Sequence, residues 1–224
     1  MAIVRVQSVF NSGSGTAPSV SFASPTTTGN FLYFAYGYGG NVSLADSPIY
    51  NDTSGLSGDG PSYTSLSCSL FSYFFGNITG RSGATITHAS TAGTWVAVGI
   101  EYSSVRTSAT ILDVSSTDSF SAEASPQSSG TTGTTVQARE VAIGATLVTD
   151  NTLTITNDAD FTSVGNQTNT GLKLQVADRI RSVIGTEEFG ITYTGNATGV
   201  IGVSLWKDQN AGSGLIYLPL GMCG

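Results

Sequence analysis

Apolar residues along this chain recur at every second position rather than at helical spacing. Clusters of Gly, Ser, Asn and Asp interrupt the alternation about every ten residues, the rhythm of a sandwich or barrel. The pattern predicts strands over Ile3–Phe10, Ser19–Ala23, Phe31–Tyr38, Ser65–Phe75, Ala84–His88 and Thr94–Tyr102. A second series follows at Thr134–Gln137, Glu140–Val148, Leu172–Ser182, Phe189–Tyr193 and Val200–Trp206. No segment shows a convincing amphipathic helix. Between the strands, Gly39–Thr64, Ser115–Gly133 and Thr149–Gly171 read as long loops, rich in turn formers and suited to carry variable functional surface.

Within the apolar strands a bulky face lies opposite a face with Gly or Ala near its middle. Leu32, Phe34, Tyr36 and Tyr38 oppose Phe31, Tyr33, Ala35 and Gly37, and Val141, Ile143, Ala145 and Leu147 oppose Ala142, Gly144, Thr146 and Val148. The strands at 94–102 and 200–206 repeat the arrangement. Bulky faces are expected to meet between two sheets, and the small-residue faces to admit a covering loop, a bend or a partner. The halves also echo each other. ATITHASTAGTWVAVGIEY resembles FGITYTGNATGVIGVSLWK at an offset of 105, matching Ile86 with Ile191 and Trp95 with Val200. TTTGNFLYFAYG resembles TVQAREVAIGATL at an offset of about 110, close to the same spacing. Two such halves can be separate small domains or the halves of one sandwich. The second is preferred, since neither half carries a comfortable core alone.

Composition sharpens the picture. Of 224 residues, 39% are hydrophobic and only 10% charged, against about 25% charged in an average globular protein. Ser, Thr, Asn and Gly supply the polarity, as on the wet faces and turns of strands. The net charge is −7, and no Lys or Arg lies between Arg5 and Arg81. A phosphate-binding groove needs clustered cations, so nucleic acid and anionic membranes are not expected partners. No apolar run reaches the roughly 18 residues of a membrane helix, and MAIVRVQSVF lacks the pattern of a Sec signal peptide. Cys68 reads as a small buried hydrophobe, and Cys68 and Cys223 as two free thiols.

Gly29-Asn30 before an apolar strand, GNITG at Gly76–Gly80, TWVAVGIEYSS at Thr94–Ser104 and Ala177-Asp178-Arg179 resemble concanavalin A-like, jelly-roll β-sandwich proteins of bacterial surfaces and bacteriophage virions. The resemblance covers most of residues 3 to 207 and rests on structural motifs. It implies an all-β antiparallel jelly-roll sandwich in a virion or extracellular setting, and it supplies no catalytic residues.

Candidate chemistry is sparse. His88 is the only histidine, and no nucleophile, phosphate-loop or zinc motif accompanies it. Glycoside hydrolysis would require two carboxylates across a cleft, for which Glu101, Glu140, Glu187 and Glu188 are available. Calcium is the metal best matched to the loops. Asp150 with Asn157, Asp158 and Asp160 forms one candidate set, and Asp46, Asp52 and Asp59 another; both compete with ordinary turn formation. Tyr36, Tyr38, Tyr50 and Tyr63 around the first long loop could stack on a glycan, or read as core or sheet-surface aromatics. Asp178-Arg179 reads as a local ion pair, or as Arg179 holding a neighbouring loop or subunit.

The tail beyond residue 208 carries Leu215, Ile216, Tyr217, Leu218 and Leu220, which can add as a strand to a sheet edge of its own chain or a neighbour's. The expectation is one sandwich domain over 1–208 followed by this tail. Its expected role is a non-enzymatic virion component, a capsid decoration or fibre-like protein that packs with itself and other virion proteins, without a cofactor. A carbohydrate-binding module or adhesin is the alternative.

Overall fold

The computed structural model describes residues 2–40, 48–50, 56–65, 67–89, 93–107 and 110–209. Every regular element among them is a strand. In chain order they are β1 Val4–Gly15, β2 Ser19–Ser21, β3 Phe31–Gly39, β4 Ile49–Tyr50, β5 Leu56–Thr64, β6 Cys68–Gly76, β7 Thr85–Thr87 and β8 Gly93–Ser103. The second half continues with β9 Leu112–Ala124, β10 Gln127–Ser128, β11 Glu140–Val148, β12 Thr156–Asn157, β13 Thr162–Asn169, β14 Leu172–Arg181, β15 Gly190–Thr192 and β16 Asn196–Lys207.

All pairings are antiparallel. The first half forms a large sheet, β1-β8-β3-β6-β5, and a small one, β2-β7-β4. The second half forms β9-β16-β11-β14-β13 and β10-β15-β12. Adding eight to each strand number of the first half reproduces the second, so the echo in the sequence is a duplication of topology. Its register is kept as well. Tyr38 pairs with Trp95 in the first half, and their counterparts Leu147 and Val200 pair in the second. Within each half the order 1-8-3-6 opposite 2-7-4 is that of a jelly roll, with the fifth strand added at the edge of the large sheet.

The result is four layers with three cores. Small and large sheets of the first half enclose Val20, Phe22, Leu32, Phe34, Tyr36, Tyr38, Phe71, Tyr73 and Ile86. The second half encloses Phe161, Phe189, Ile191, Ile201, Val203 and Leu205 in the same way. The two large sheets meet over a central core drawn from both halves, including Phe31, Tyr33, Val98, Tyr102, Ile143, Leu147, Val176 and Trp206. Trp206 is the second half's insertion among the first half's rings, 5.2 Å from Phe31 and 5.3 Å from Phe74 by ring centroid.

This layering assigns the two faces of the apolar strands to different cores. The bulky Leu32/Phe34/Tyr36/Tyr38 face packs under its own small sheet. The Ala35/Gly37 face is the one that meets the other half, where Leu147 fills the space a side chain at Gly37 would need. Likewise Gly202 receives Tyr63, and Gly144 receives Phe189. Large residues on one layer thus enter the gaps left by glycine on the next.

Three predicted long loops also contain strands: β5, β9 and β13. All three are sheet edges. An edge strand is half solvated, so its sequence need not alternate, and these three are broken by bulges at Asp59/Ser62, Ala197/Gly199 opposite β9, and Ser163/Gly165. The first bulge houses Pro61, where a missing N–H is tolerated. Thr134–Gln137, predicted as a strand, is irregular chain that bends at Val136–Gln137 and is joined to residue 185 by the Thr135 N–H to the Gly185 carbonyl at 3.0 Å.

Candidate functional site

A row of alternating charges crosses the outer face of the second half's large sheet. It arises because Glu140 at the start of β11 stands between Lys207 at the end of β16 and Arg181 at the end of β14 in the strand register. Lys207 Nζ is 3.2 Å from Asp113 Oδ1 of β9. On the other side Arg181 Nε lies 3.1 Å from Glu187 Oε2, whose Oε1 lies 3.1 Å from Arg179 Nη1. Arg179 then reaches Asp160 at 3.2 Å. The row runs from buried to exposed: the Asp113 side chain is 3% accessible and that of Asp160 is 70%.

The buried end has an unusual proton arrangement. Neither Glu140 oxygen meets an N–H or hydroxyl donor; its partner is the Asp113 carboxyl group. Two carboxyl groups in contact share a proton rather than both ionise. Burial, the Asp113 hydrogen bond and the Asp113 charge together push Glu140 up to about 8. Burial also acts to raise Asp113. Hydrogen bonds from Glu140, the Val136 N–H and Lys207 outweigh it and hold Asp113 below its ordinary value. The Val136 N–H donates to Asp113 Oδ2 at 2.7 Å.

The exposed end opens into a cleft of about 540 Å³ lined by Thr131, Asp158, Asp160, Arg179, Glu187 and Glu188. Its acids are already engaged. Asp158 Oδ2 accepts the Gly190 N–H at 2.6 Å, Asp160 pairs with Arg179, and Glu188 accepts the Thr131 hydroxyl at 3.0 Å. Asp158 and Asp160 therefore share a cleft, but Asp150 turns to Thr152, accepting its N–H at 2.8 Å and its hydroxyl at 2.6 Å. Among the described residues no three potential metal ligands converge. Asp46 and Asp52 lie outside the described residues.

Asp178 and Arg179 do not pair with each other, because neighbours on a strand point to opposite faces. Asp178 faces inward, accepting from the Tyr102 hydroxyl at 2.7 Å and from Arg5 at 3.2 Å, and so ties the halves together. Arg179 faces outward and holds the neighbouring loops, the second reading of that pair.

The tyrosine platform is corrected by burial. Tyr36, Tyr38, Tyr50 and Tyr63 are all 3% accessible or less, so none presents a ring face to a sugar. Tyr36 stacks on His88, whose Nδ1 lies 3.0 Å from its hydroxyl. Tyr63 fills the space over Gly202 in the central core. Glu101 is likewise a buried anchor: its carboxylate accepts from Thr27 N–H and Asn30 Nδ2 at 2.7 Å each and from Gln7 Nε2 at 2.6 Å. Leu215–Leu220 and Cys223 lie outside the described residues, and Cys68 is buried with its thiol directed to the Leu147 carbonyl.

Sequence reasoning missed Asp113, Lys207 and Val136. Their separation in the chain hides them; the one available signal was Lys207 following directly on an apolar strand. It also missed a hydroxyl-lined groove between edge strands β5 and β9. One part, of about 240 Å³, is lined by Ser62, Thr64, Thr117, Asp118 and Ser119.

No protein-family model matches this chain, and neither the curated proteins nor the solved structures contain a match to it.

Proposed function

We propose that this protein is a non-enzymatic structural component of a bacteriophage virion, a decoration or fibre-like protein that packs with copies of itself and with other virion proteins. One observation carries the packing role. Val136, Val183 and Ile184 are 70%, 62% and 58% accessible. They belong to segments joined by the Thr135–Gly185 hydrogen bond, so they gather at one end of the second half. Adjoining exposed aliphatic side chains of this size mark a contact surface. The virion setting is supported by the sequence resemblance to phage jelly-roll proteins. The internal engagement of Glu101, Glu187 and Asp158 supports a structural rather than catalytic use of the acids.

Light scattering behind a sizing column tests the packing role. The full chain is expected to elute as an oligomer, and Val183→Asp/Ile184→Asp as a smaller species with unchanged circular dichroism. A monomeric full chain at tens of micromolar would refute self-packing. Immunogold labelling of phage particles tests the setting, and particles bare of label would refute it.

The β5–β9 groove favours a second reading, glycan binding. Its hydroxyls and Asp118 offer the hydrogen bonds a sugar needs. Binding on a glycan array that is lost in Asp118→Ala would select this reading.

A further inference from the structure

We propose that Lys207 and Asp113 condense into an intramolecular amide bond, with Glu140 carrying the proton and the Val136 N–H holding the developing oxyanion. This goes beyond the packing role and stands independently of it.

Three features of the geometry converge. First, the amine nitrogen is 3.2 Å from Asp113 Oδ1, an oxygen of the carboxyl it would join, so only a short shift of Nζ toward Cγ separates the ion pair from an attacking geometry. Both side chains are held from behind. Lys207 Nζ also donates to the Leu112 carbonyl at 3.4 Å, and Asp113 Oδ2 accepts the Val136 N–H at 2.7 Å. Second, water is excluded: the Lys207 and Asp113 side chains are 10% and 3% accessible, and Glu140 is fully buried. Amide formation from an amine and an acid is opposed in bulk water by product hydrolysis and by the entropy of bringing the two together. A fixed, dry pair removes both obstacles, since effective concentrations of such pairs reach about 10⁵ M or more. Third, a proton carrier is in place. The Glu140 carboxyl touches Asp113 and stands beside Lys207 in the register, and neither of its oxygens has another hydrogen-bond partner.

The steps balance without any added reagent. The Lys207 ammonium passes a proton to Asp113 Oδ1, its ion-pair partner at 3.2 Å, leaving a neutral amine and a carboxylic acid. The Nζ lone pair attacks Cγ, and the carbonyl electron pair moves onto Oδ2, where the Val136 N–H stabilises the charge. Glu140 donates its proton to the Oδ1 hydroxyl, the Cγ–Oδ1 bond breaks and water leaves. Glu140 then regains a proton from Nζ. The sum is an ammonium and a carboxylate giving an amide and one water. The bond would join the first strand of the second half's large sheet to the last described strand, β16, so that this half could no longer open from its ends.

Intact-mass spectrometry of the full chain tests the proposal. After folding at neutral pH, the protein is expected to weigh one water less than its sequence, with allowance for loss of Met1. Trypsin should fail to cut after Lys207, and tandem spectra should show the peptide beginning at Thr107 joined to the one beginning at Ser182. Lys207→Arg and Glu140→Gln should keep the full mass while their circular dichroism shows the folded protein. A folded full chain that keeps the mass of its sequence overturns the proposal. So does a water lost as a cyclic imide at Asp113, which leaves the two peptides unlinked. A Glu140→Gln variant that condenses as fast as the parent overturns the role of Glu140.

Discussion

Gly37 of β3 and Leu147 of β11 fill one space between the two halves: a Cβ at residue 37 would lie 2.5 Å from Leu147 Cδ2. Gly37→Ala is therefore expected to destabilise the protein by about 1–2 kcal/mol, the cost of overpacking against a side chain that can still rotate. Leu147→Ala alone is expected to cost about 2–5 kcal/mol. The double variant should cost less than the sum, because the added methyl occupies part of the vacated space. Urea titration of the four proteins measures this, and strict additivity would refute the shared space.

Gly144 presents the harder case. A Cβ there would meet the Phe189 ring at three of its carbons, and a ring packed between sheet and Phe161 has little room to turn. Gly144→Ala is expected to cost about 3 kcal/mol, more than the same change at Gly37. Comparison of the two denaturation midpoints checks the order.

Glu101 is held by three N–H donors, Gln7 of β1 and Thr27 and Asn30 of the turn before β3, in place of a cation. Glu101→Ala leaves the Thr27 amide, Asn30 and Gln7 without their acceptor, and is expected to cost about 3 kcal/mol or more. Glu101→Gln keeps acceptor capacity but places an amide donor against donors, and should fall between parent and alanine variant. Equal stability of parent and Glu101→Ala in thermal melts would contradict this assignment.

Glu140 makes stability fall with rising pH. Its folded-state pKa is raised to about 8 from an ordinary 4.5, with burial as the largest cause. Between those values the folded protein holds a proton that the unfolded chain has lost. The contribution of Glu140 is therefore fully present below about 4.5 and declines up to about 8. The slope is on the order of 1 kcal/mol per pH unit. Burial acts on Glu140 whether or not Asp113 is condensed, so the direction holds in both forms. Urea midpoints measured across pH 5 to 8 should fall in the parent and run flatter in Glu140→Gln.

Patterning along the chain was enough to give the class of fold and its internal repeat. Period-two patterning marked β11 at its observed limits, Glu140–Val148, because a strand buried on both faces must be apolar along its whole length. Ile86 and Ile191 aligned at an offset of 105 and occupy β7 and β15, the middle strands of the two small sheets. The edge strands β5, β9 and β13 were not legible, since half-solvated strands are built from the same Ser, Thr, Gly and Asn as loops. Nor could the sequence decide which face of Phe31–Tyr38 met which layer, because both faces are apolar and only the stacking of four layers distinguishes them. That stacking buried the four tyrosines that could have formed a glycan platform. The tertiary structure alone brought Asp113 to Lys207: one opens the half's first strand, the other closes its last, and they meet because those strands are neighbours in the sheet.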